Sequence, residues 1–334
     1  TYFEGKKGNS KKARRGKSKE RRDDAKLVSI GLVVDSLGFI KCSKIYEGDI
    51  RESKTLKGII EELRGRVEGE GKGIVVIDAG IADEGDLKML REGGYDYVCV
   101  SLSKPFKDIE GEGGVKKIKV KGGEEIEGKW VKVKGKRDNF LHIKSKGKEE
   151  KEKGMEELFC RRYEEGLKGI EEGIKRKGGI KKAELVEKRI GRLEGKYPSV
   201  YRLYEVKVEE RDGIAIGIKW KKKRGKRNGE YFIRTSMDIS DEKEVWEIYN
   251  TIREIEATFR VLKADLRMRP IYHQEDEMSE AHINGSILAY SIVNIIRQGL
   301  KSKGINLDLS NIVRIMNTQK EVCTTMKARS GHRI

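Results

Sequence analysis

Three side chains of different chemistry recur at two-turn intervals in the segment YNTIREIEATFRVLK. Glu256 lies seven residues after Tyr249 and seven residues before Lys263. Because seven residues are close to two turns of an α-helix, this spacing predicts that a phenol, a carboxylate and an ammonium group share one face. Such a face could hold a metal ion through its carboxylate and phosphate groups through its cation. An ordinary helix surface with Tyr249 packed in the core is the alternative, and the segment alone leaves both open.

Two arginines of the same segment add positive charge beside Glu256. Together with Lys263, Arg253 and Arg260 could hold the phosphates of a nucleic acid near carboxylates that would otherwise repel them. The ring of Tyr249 could stack on a base, or its hydroxyl could bond a phosphate. These four side chains are therefore candidate DNA contacts.

A second basic group, KKKRGKR, directly follows Trp220 and has the composition of a hairpin tip. We expect its first four side chains to contact a DNA backbone; a solvated turn is the alternative. The four residues are Lys221, Lys222, Lys223 and Arg224.

Asp78 ends the apolar run from Ile74 to Ile77. A carboxylate at the C-terminal end of a buried strand occupies the position where α/β proteins place their sites, although a helix cap or a loop would also explain it. Carboxylates that converge from a strand end and a helix supply the oxygen ligands that Mg²⁺ or Mn²⁺ prefers. Two such ions, about 4 Å apart, can activate a water or a 3′-hydroxyl for attack on a phosphodiester.

The charge balance favours a polyanionic partner. The 334 residues carry a net charge of +18, which points most simply to nucleic acid and less strongly to a membrane surface. The sequence contains no run of eighteen apolar residues, so no membrane-spanning helix is predicted. The four separated cysteines form no disulfide or zinc pattern and favour a reducing compartment. No P-loop, dinucleotide fingerprint or Ser/His/Asp pattern supports nucleotide or serine hydrolase chemistry.

The elements that must position these residues alternate between strand and helix patterns, which predicts an α/β fold with antiparallel and parallel strands. A β-hairpin turns at Asp35 to Gly38, and one long helix covers the Tyr249–Lys263 segment and stops before Pro270. We expect four regions along the chain: a basic segment that stays mobile until it meets an anion (1–26), a first part of the core (27–103), a mixed β-rich and helical insertion (104–235) and a C-terminal helical part of the core (236–334).

The segment from Tyr249 to Lys263, followed by LRMRPIYH, resembles the C-terminal signature of DDE-type insertion-sequence transposases. In one large branch of that family the signature reads Tyr, two residues, Arg, three residues, Glu, six residues, Lys. Tyr249, Glu256 and Lys263 match it, but Ile252 stands at the arginine position, and Arg253 points about 100° away on a helix. Similar stretches follow the family's order along nearly the whole chain: GDIRESKTL, IVVIDAGIADEGDLKMLREGGYDYV, NGEYFIRTS and RPIYHQEDEMSEAHINGSILAY.

The resemblance implies a ribonuclease-H-like mixed sheet with flanking helices, interrupted by an insertion before the last acidic helix. It implies an Asp-Asp-Glu triad that binds Mg²⁺ or Mn²⁺, nicks DNA at the ends of the element and joins the freed 3′-hydroxyl to target DNA. Asp78 would be the second aspartate and Glu256 the final glutamate, both catalytic and both metal ligands, with Tyr249 and Lys263 near the scissile phosphate. The implied partners are double-stranded DNA and a second copy in a homodimer on DNA, with the protein in the cytoplasm at the nucleoid.

The first aspartate of the triad has no counterpart in the printed sequence. In relatives it stands a few residues before a TYFEG-like stretch, and here that stretch begins at Thr1, so we expect the aspartate to lie upstream and this chain to cut DNA weakly or not at all. Asp35 is rejected as a substitute because a hairpin turn explains it. Two alternatives remain open: a remnant that only binds DNA, and another ribonuclease-H-like nuclease, such as a junction resolvase.

Overall fold

A computed structural model describes residues 1–4, 9–16, 22, 24–51, 54–65, 73–101, 107–120, 125–223 and 228–320. The chain divides into two compact units. The first unit contains residues 1–102, 235–237 and 244–334, and the second contains residues 103–234 and 238–243.

The strands and helices have the following bounds. The strands are β1 (Val28–Val34), β2 (Ile40–Glu47), β3 (Ile74–Ile77), β4 (Asp96–Val100), β5 (Ile109–Glu112), β6 (Lys116–Lys119), β7 (Glu125–Val133), β8 (Asn139–Ser145), β9 (Tyr204–Arg211), β10 (Ile214–Lys222) and β11 (Glu230–Thr235). The helices are α1 (Thr55–Arg64), α2 (Glu84–Glu92), α3 (Lys146–Lys175), α4 (Ala183–Lys196), α5 (Glu242–Asn250), α6 (Ile252–Arg260), α7 (Asp276–Ser302) and α8 (Leu309–Met316). This mixture confirms the predicted α/β class.

The first unit opens with the predicted β-hairpin. Strands β1 and β2 pair antiparallel from Val28 opposite Glu47 to Val33 opposite Cys42. The Asp35 carboxylate accepts the backbone N–H groups of Leu37 and Phe39 at 3.0 and 2.9 Å, and thereby closes the turn. Asp35 therefore has the structural role expected of it and is not a free carboxylate at a strand end.

A β-α-β arrangement follows the hairpin. Strands β3 and β4 pair parallel, with Ile77 opposite Cys99, and α2 connects them along the chain. Leu87 and Leu90 of α2 are completely buried and pack with Ile77 and Tyr97. Burial of such apolar side chains supplies the main favourable free energy for docking the helix on the strands.

The predicted single helix before Pro270 is wrong at two points. The backbone N–H groups of Thr251 and Glu254 each bond a carbonyl only three residues earlier, at 3.1 and 2.9 Å, so α5 ends at Asn250 and α6 begins at Ile252. The Thr251 hydroxyl donates to the Ile248 carbonyl at 2.7 Å and competes for a backbone acceptor. After α6, residues Val261–Asp265 form a π-turn in which the Leu266 N–H bonds the Val261 carbonyl at 2.9 Å.

The described part of the basic N-terminal segment makes defined contacts, and its expected mobility stays a prediction. The Asp276 carboxylate at the start of α7 accepts the Ser10 hydroxyl and the backbone N–H groups of Lys11 and Lys12. Arg14 and Leu27 exchange two backbone hydrogen bonds, of 3.0 and 2.7 Å. An aspartate and a strand edge therefore hold residues that composition alone marks as solvated.

The second unit contains both β-rich and helical structure. Strand β7 pairs antiparallel with β5, β6 and β8, and β8 lies next to β11 in the same sheet. Strands β9 and β10 form a separate antiparallel pair. They share an apolar core with the 30-residue helix α3 and with α4, in which Tyr163 and Leu167 are completely buried.

No helix within the described ranges has both the length and the apolar character needed to cross a membrane.

Candidate active site

Asp78 directly follows β3 and its side chain is exposed. One of its carboxylate oxygens accepts the backbone N–H of Ala79 at 2.7 Å. The cap of α2 is instead Asp83, whose side chain accepts the Asp86 N–H at 2.8 Å. The helix-cap alternative for Asp78 is therefore excluded, and its carboxylate lies at the C-terminal end of a parallel strand.

The strand before Asp78 is less buried than its apolar sequence suggests. Strand β3 ends the strand order of its sheet, and only Ile77 of its four residues is buried, while Ile74 is 46% exposed. An edge strand has a pairing partner on one side only, so an apolar sequence does not guarantee burial.

Glu256 lies in the middle of α6 with its side chain exposed. Two residues along a helix correspond to a rotation of about 200°, so Glu254 and Thr258 point away from Glu256 on the opposite face. Thr258 is completely buried, and the side chain of Glu254 is 20% exposed. The inner face of α6 is thus occupied by Glu254 and Thr258, and Glu256 is directed outward.

The two other signature residues flank α6 on different elements. Tyr249 is half-buried in the last turn of α5, and Lys263 is half-buried in the π-turn. The Lys263 ammonium lies 5.2 Å from the centroid of the Phe259 ring, a cation–π distance. The single uninterrupted helix predicted for Tyr249, Glu256 and Lys263 is therefore wrong, because a turn at Thr251 and the π-turn place the three residues on separate elements. Their shared face stays a prediction.

The arginines predicted to contact DNA differ in their surroundings from the residue at the signature arginine position. Arg253 and Arg260 are exposed on α6, whereas Ile252 is half-buried. Both arginines are thus accessible to a ligand from solvent.

The basic group after Trp220 is placed differently from the prediction. Lys221 and Lys222 lie in strand β10 opposite Glu205 and Tyr204 of β9, not in a hairpin tip. The Lys222 ammonium lies 3.7 Å from a carboxylate oxygen of Glu156, so part of its charge is already compensated. Lys223 follows the strand with an exposed side chain, and Arg224 lies outside the described residues.

The donor atoms of Asp78 and Glu256 suit a hard divalent cation, since both are exposed carboxylates. Across the part of the chain that the structure describes, no three or more His, Cys, Asp or Glu side chains form a group able to hold a metal ion. The two carboxylates therefore fit such an ion in chemistry but do not by themselves form a complete set of ligands.

A set of polar residues that sequence reasoning missed lies on the inner side of α6. Tyr290 and Asn294 of α7 are 1% and 0% exposed, although α7 reads as an apolar core helix. Polar residues inside an apolar periodic helix are the one sequence signal that could have identified them, because buried polar groups need partners.

Comparison with protein families gives a match over most of the chain. The family model described as the transposase DDE domain matches residues 4–292, a range that includes Asp78, α6 and Lys263. No match is found among curated proteins. The family generally uses divalent metal ions and acts on DNA. With its mixed α/β fold and a match over most of its length, the chain belongs to the family of DDE-domain transposases, enzymes that cleave and transfer DNA strands.

Proposed function

We propose that Asp78 and Glu256 are catalytic carboxylates of this transposase and bind its divalent metal, Mg²⁺ or Mn²⁺. The observation that carries the proposal is their placement within the family match: Asp78 is exposed directly after β3, and Glu256 is exposed on α6 opposite a buried polar face. A bound divalent ion would supply positive charge that polarises the phosphodiester and its nucleophile.

The chain's own cations and phenol have a complementary role in this proposal. Arg253 and Arg260 bind phosphate oxygens from the exposed side of α6, and Lys263 and Tyr249 orient the strand near the scissile bond. Cleavage forms a bond from water oxygen to phosphorus and breaks the bond from phosphorus to the 3′ oxygen. In transfer, the freed 3′-hydroxyl oxygen forms a bond to a phosphorus of target DNA, and the bond from that phosphorus to the target's own 3′ oxygen breaks. The proton of the attacking hydroxyl ends on that released 3′ oxygen.

The same proposal includes the division of the chain into domains and the binding of two copies to DNA. The catalytic core comprises 27–103 and 236–334, and 104–235 form an insertion domain. Two copies act together on double-stranded DNA at the element ends and the target, at the nucleoid. The basic group Lys221 to Arg224 contributes to affinity through DNA phosphates, so binding weakens as salt increases.

The test compares two glutamate variants in the natural full-length protein. Glu256→Gln removes a metal ligand and its negative charge, so we expect DNA cleavage to fall by at least about 1,000-fold with little change in DNA affinity. The matched control is Glu244→Gln, an exposed glutamate on α5, which should cleave at the parent rate. Parent-level cleavage by Glu256→Gln would exclude Glu256 from catalysis.

A DNA-binding remnant is the second candidate function. It is favoured by the lack of a complete metal-ligand group among the described residues. It predicts salt-sensitive DNA binding that is the same with and without Mg²⁺, and no cleavage by the natural protein under any metal condition.

A further inference from the structure

A buried polar network joins helix α6 to the turn of the β1–β2 hairpin by way of α7, and the proposed function does not use it. Its members all lie in the first unit and bond to one another or to backbone carbonyls of the turn. They are Glu254 and Thr258 of α6, Tyr290, Asn294 and Arg297 of α7, and the carbonyl oxygens of Leu37 and Gly38.

One branch of the network is ionic. The Arg297 guanidinium donates a short hydrogen bond to the Glu254 carboxylate, and the two side chains are only 17% and 20% exposed. The same guanidinium donates to Asn294 Oδ1 at 3.4 Å, and Asn294 Nδ2 donates to the Leu37 carbonyl at 3.1 Å. The charge on α6 is thus connected through α7 to the hairpin turn.

The other branch is formed by hydroxyl groups. Tyr290 donates to the Gly38 carbonyl at 2.9 Å, and its oxygen lies 2.8 Å from the hydroxyl of Thr258. The Thr258 hydroxyl also lies 2.7 Å from the Glu254 carbonyl, so its single proton is shared between Tyr290 and that carbonyl. Burial raises the pKa of Tyr290, which keeps the phenol protonated as a donor. Thr258 and Tyr290 are almost completely buried, so losing either bond would leave a polar atom without water to replace its partner.

The hairpin turn fits closely against both branches. Gly38 has a φ of +85°, and a Cβ added there would lie 3.3 Å from Asn294 Oδ1 and Tyr290 Oη and 3.4 Å from Glu254 Oε2. The turn backbone can approach these groups because residue 38 is glycine. The hairpin, α6 and α7 therefore meet at a contact with little free space.

Helix α6 has an irregular hydrogen-bond pattern at each end, so this contact adds a constraint on its rotation. The chain breaks at Thr251 before α6 and enters the π-turn after Arg260, so neither end extends an uninterrupted α-helix. Glu254 and Thr258 are four residues apart and share one face, with Glu256 opposite. Rotating α6 by about 20° would move a carboxylate roughly 6 Å from its axis by about 2 Å.

We propose that Glu254 and Arg297 are positioning residues for Glu256: their ion pair, together with the Thr258–Tyr290 bond, fixes the rotation of α6 and so the direction of the catalytic carboxylate. This inference rests on the proposed role of Glu256. A misplacement of about 1 Å at a reacting centre can cost on the order of 100-fold in rate, so the rotation of α6 matters for activity.

The experiment measures DNA cleavage as a function of Mn²⁺ concentration in the natural full-length protein, with DNA affinity and thermal unfolding measured alongside. Arg297→Gln should lower the cleavage rate and raise the Mn²⁺ concentration for half-maximal cleavage, each by about 10- to 100-fold, because a displaced Glu256 carboxylate binds the ion and orients the reacting atoms less well. DNA affinity should remain unchanged. Arg297→Lys keeps the positive charge and should restore most of the rate.

The matched control is Lys301→Gln. Lys301 approaches the same Glu254 carboxylate at 3.6 Å, but its side chain is 45% exposed, so its removal should leave the Mn²⁺ requirement within about twofold of the parent. If Arg297→Gln does not fold, Glu254→Gln, which keeps the side-chain shape, provides the same measurement.

The outcomes separate this inference from the proposed function. An Arg297→Gln or Glu254→Gln protein that melts at a lower temperature but keeps the parent Mn²⁺ dependence would show a purely structural ion pair and overturn the inference. In that case Glu256→Gln would still abolish cleavage. If Glu256→Gln cleaves normally, the proposed function itself fails.

Discussion

Two buried tyrosines, one in each unit, have different surroundings. Tyr290 of the first unit is 1% exposed, and its hydroxyl bonds the Gly38 carbonyl and Thr258. Tyr163 of the second unit is completely buried among apolar side chains, and its hydroxyl finds no hydrogen-bond partner among the described residues. Burial, followed by the charge of Glu194, raises the pKa of Tyr163 to about 12, so this phenol also stays protonated.

The two tyrosines therefore have different structural roles: one fills space in a core, and the other also fixes the orientation of a helix. Tyr163 contributes ring volume, and an apolar core tolerates many arrangements of similar volume. Tyr290 contributes ring volume and two directional bonds, and a buried polar network is satisfied in far fewer arrangements. The directional contacts lie beneath α6, the helix that carries Glu256. Tyr163 lies in the apolar core that α3 and α4 share.

The largest expected difference in stability is between two variants that each lose one tyrosine hydroxyl, Tyr290→Phe and Tyr163→Phe. Tyr290→Phe leaves the Gly38 carbonyl and Thr258 with one partner fewer, so we expect the free energy of unfolding to fall by about 1–3 kcal/mol. Tyr163→Phe removes an unpaired buried hydroxyl and should be neutral or slightly stabilising. Chemical denaturation of the two variants measures both values. Equal losses would mean that the distinction between the two tyrosines is wrong.

Two glycines with similar backbone conformations are expected to respond differently to substitution by alanine. Gly38 and Gly94 have φ values of +85° and +79°, but a Cβ at Gly94 would meet nothing within 4 Å. Gly94→Ala should therefore cost only the left-handed backbone penalty of about 1–2 kcal/mol. Gly38→Ala carries the same penalty and also presses on Asn294, Tyr290 and Glu254.

The activity of these two glycine variants sharpens the comparison. We expect Gly38→Ala to raise the Mn²⁺ concentration needed for half-maximal cleavage, because the turn contacts the side chains that hold α6. Gly94→Ala lies away from that contact and should keep the parent value. A matching Mn²⁺ dependence in both variants would argue against the hairpin turn as part of the positioning network.

Much of the local structure follows from sequence patterns. The β1–β2 hairpin and the Asp35 turn are confirmed, because alternating apolar residues around Asp-Ser-Leu-Gly specify a turn locally. The parallel β3–β4 pair with its connecting helix also follows from apolar runs and a glycine stop. Such features depend on near neighbours in the chain and are therefore visible in a single sequence.

The features around Glu256 depend on contacts that a single sequence does not display. At Thr251 the backbone hydrogen bonds span three residues, and the Thr251 hydroxyl competes for the Ile248 carbonyl. The spacing of apolar residues is helical on both sides of Thr251, so it does not reveal this break. In the sequence Glu254 looks like an ordinary surface glutamate, because its partner Arg297 is 43 residues away along the chain. Lys222 likewise reads as a free cation until α3 supplies Glu156.

The most direct test of the account asks whether Glu256 touches the metal. Replacing it with cysteine in the natural full-length protein exchanges a hard oxygen ligand for a softer sulfur ligand, which Mg²⁺ accepts poorly and Mn²⁺ accepts better. The account predicts that Glu256→Cys loses DNA cleavage in Mg²⁺ and recovers a measurable part of it in Mn²⁺. Cleavage at the parent rate in Mg²⁺ would contradict the assignment of Glu256 as a metal ligand.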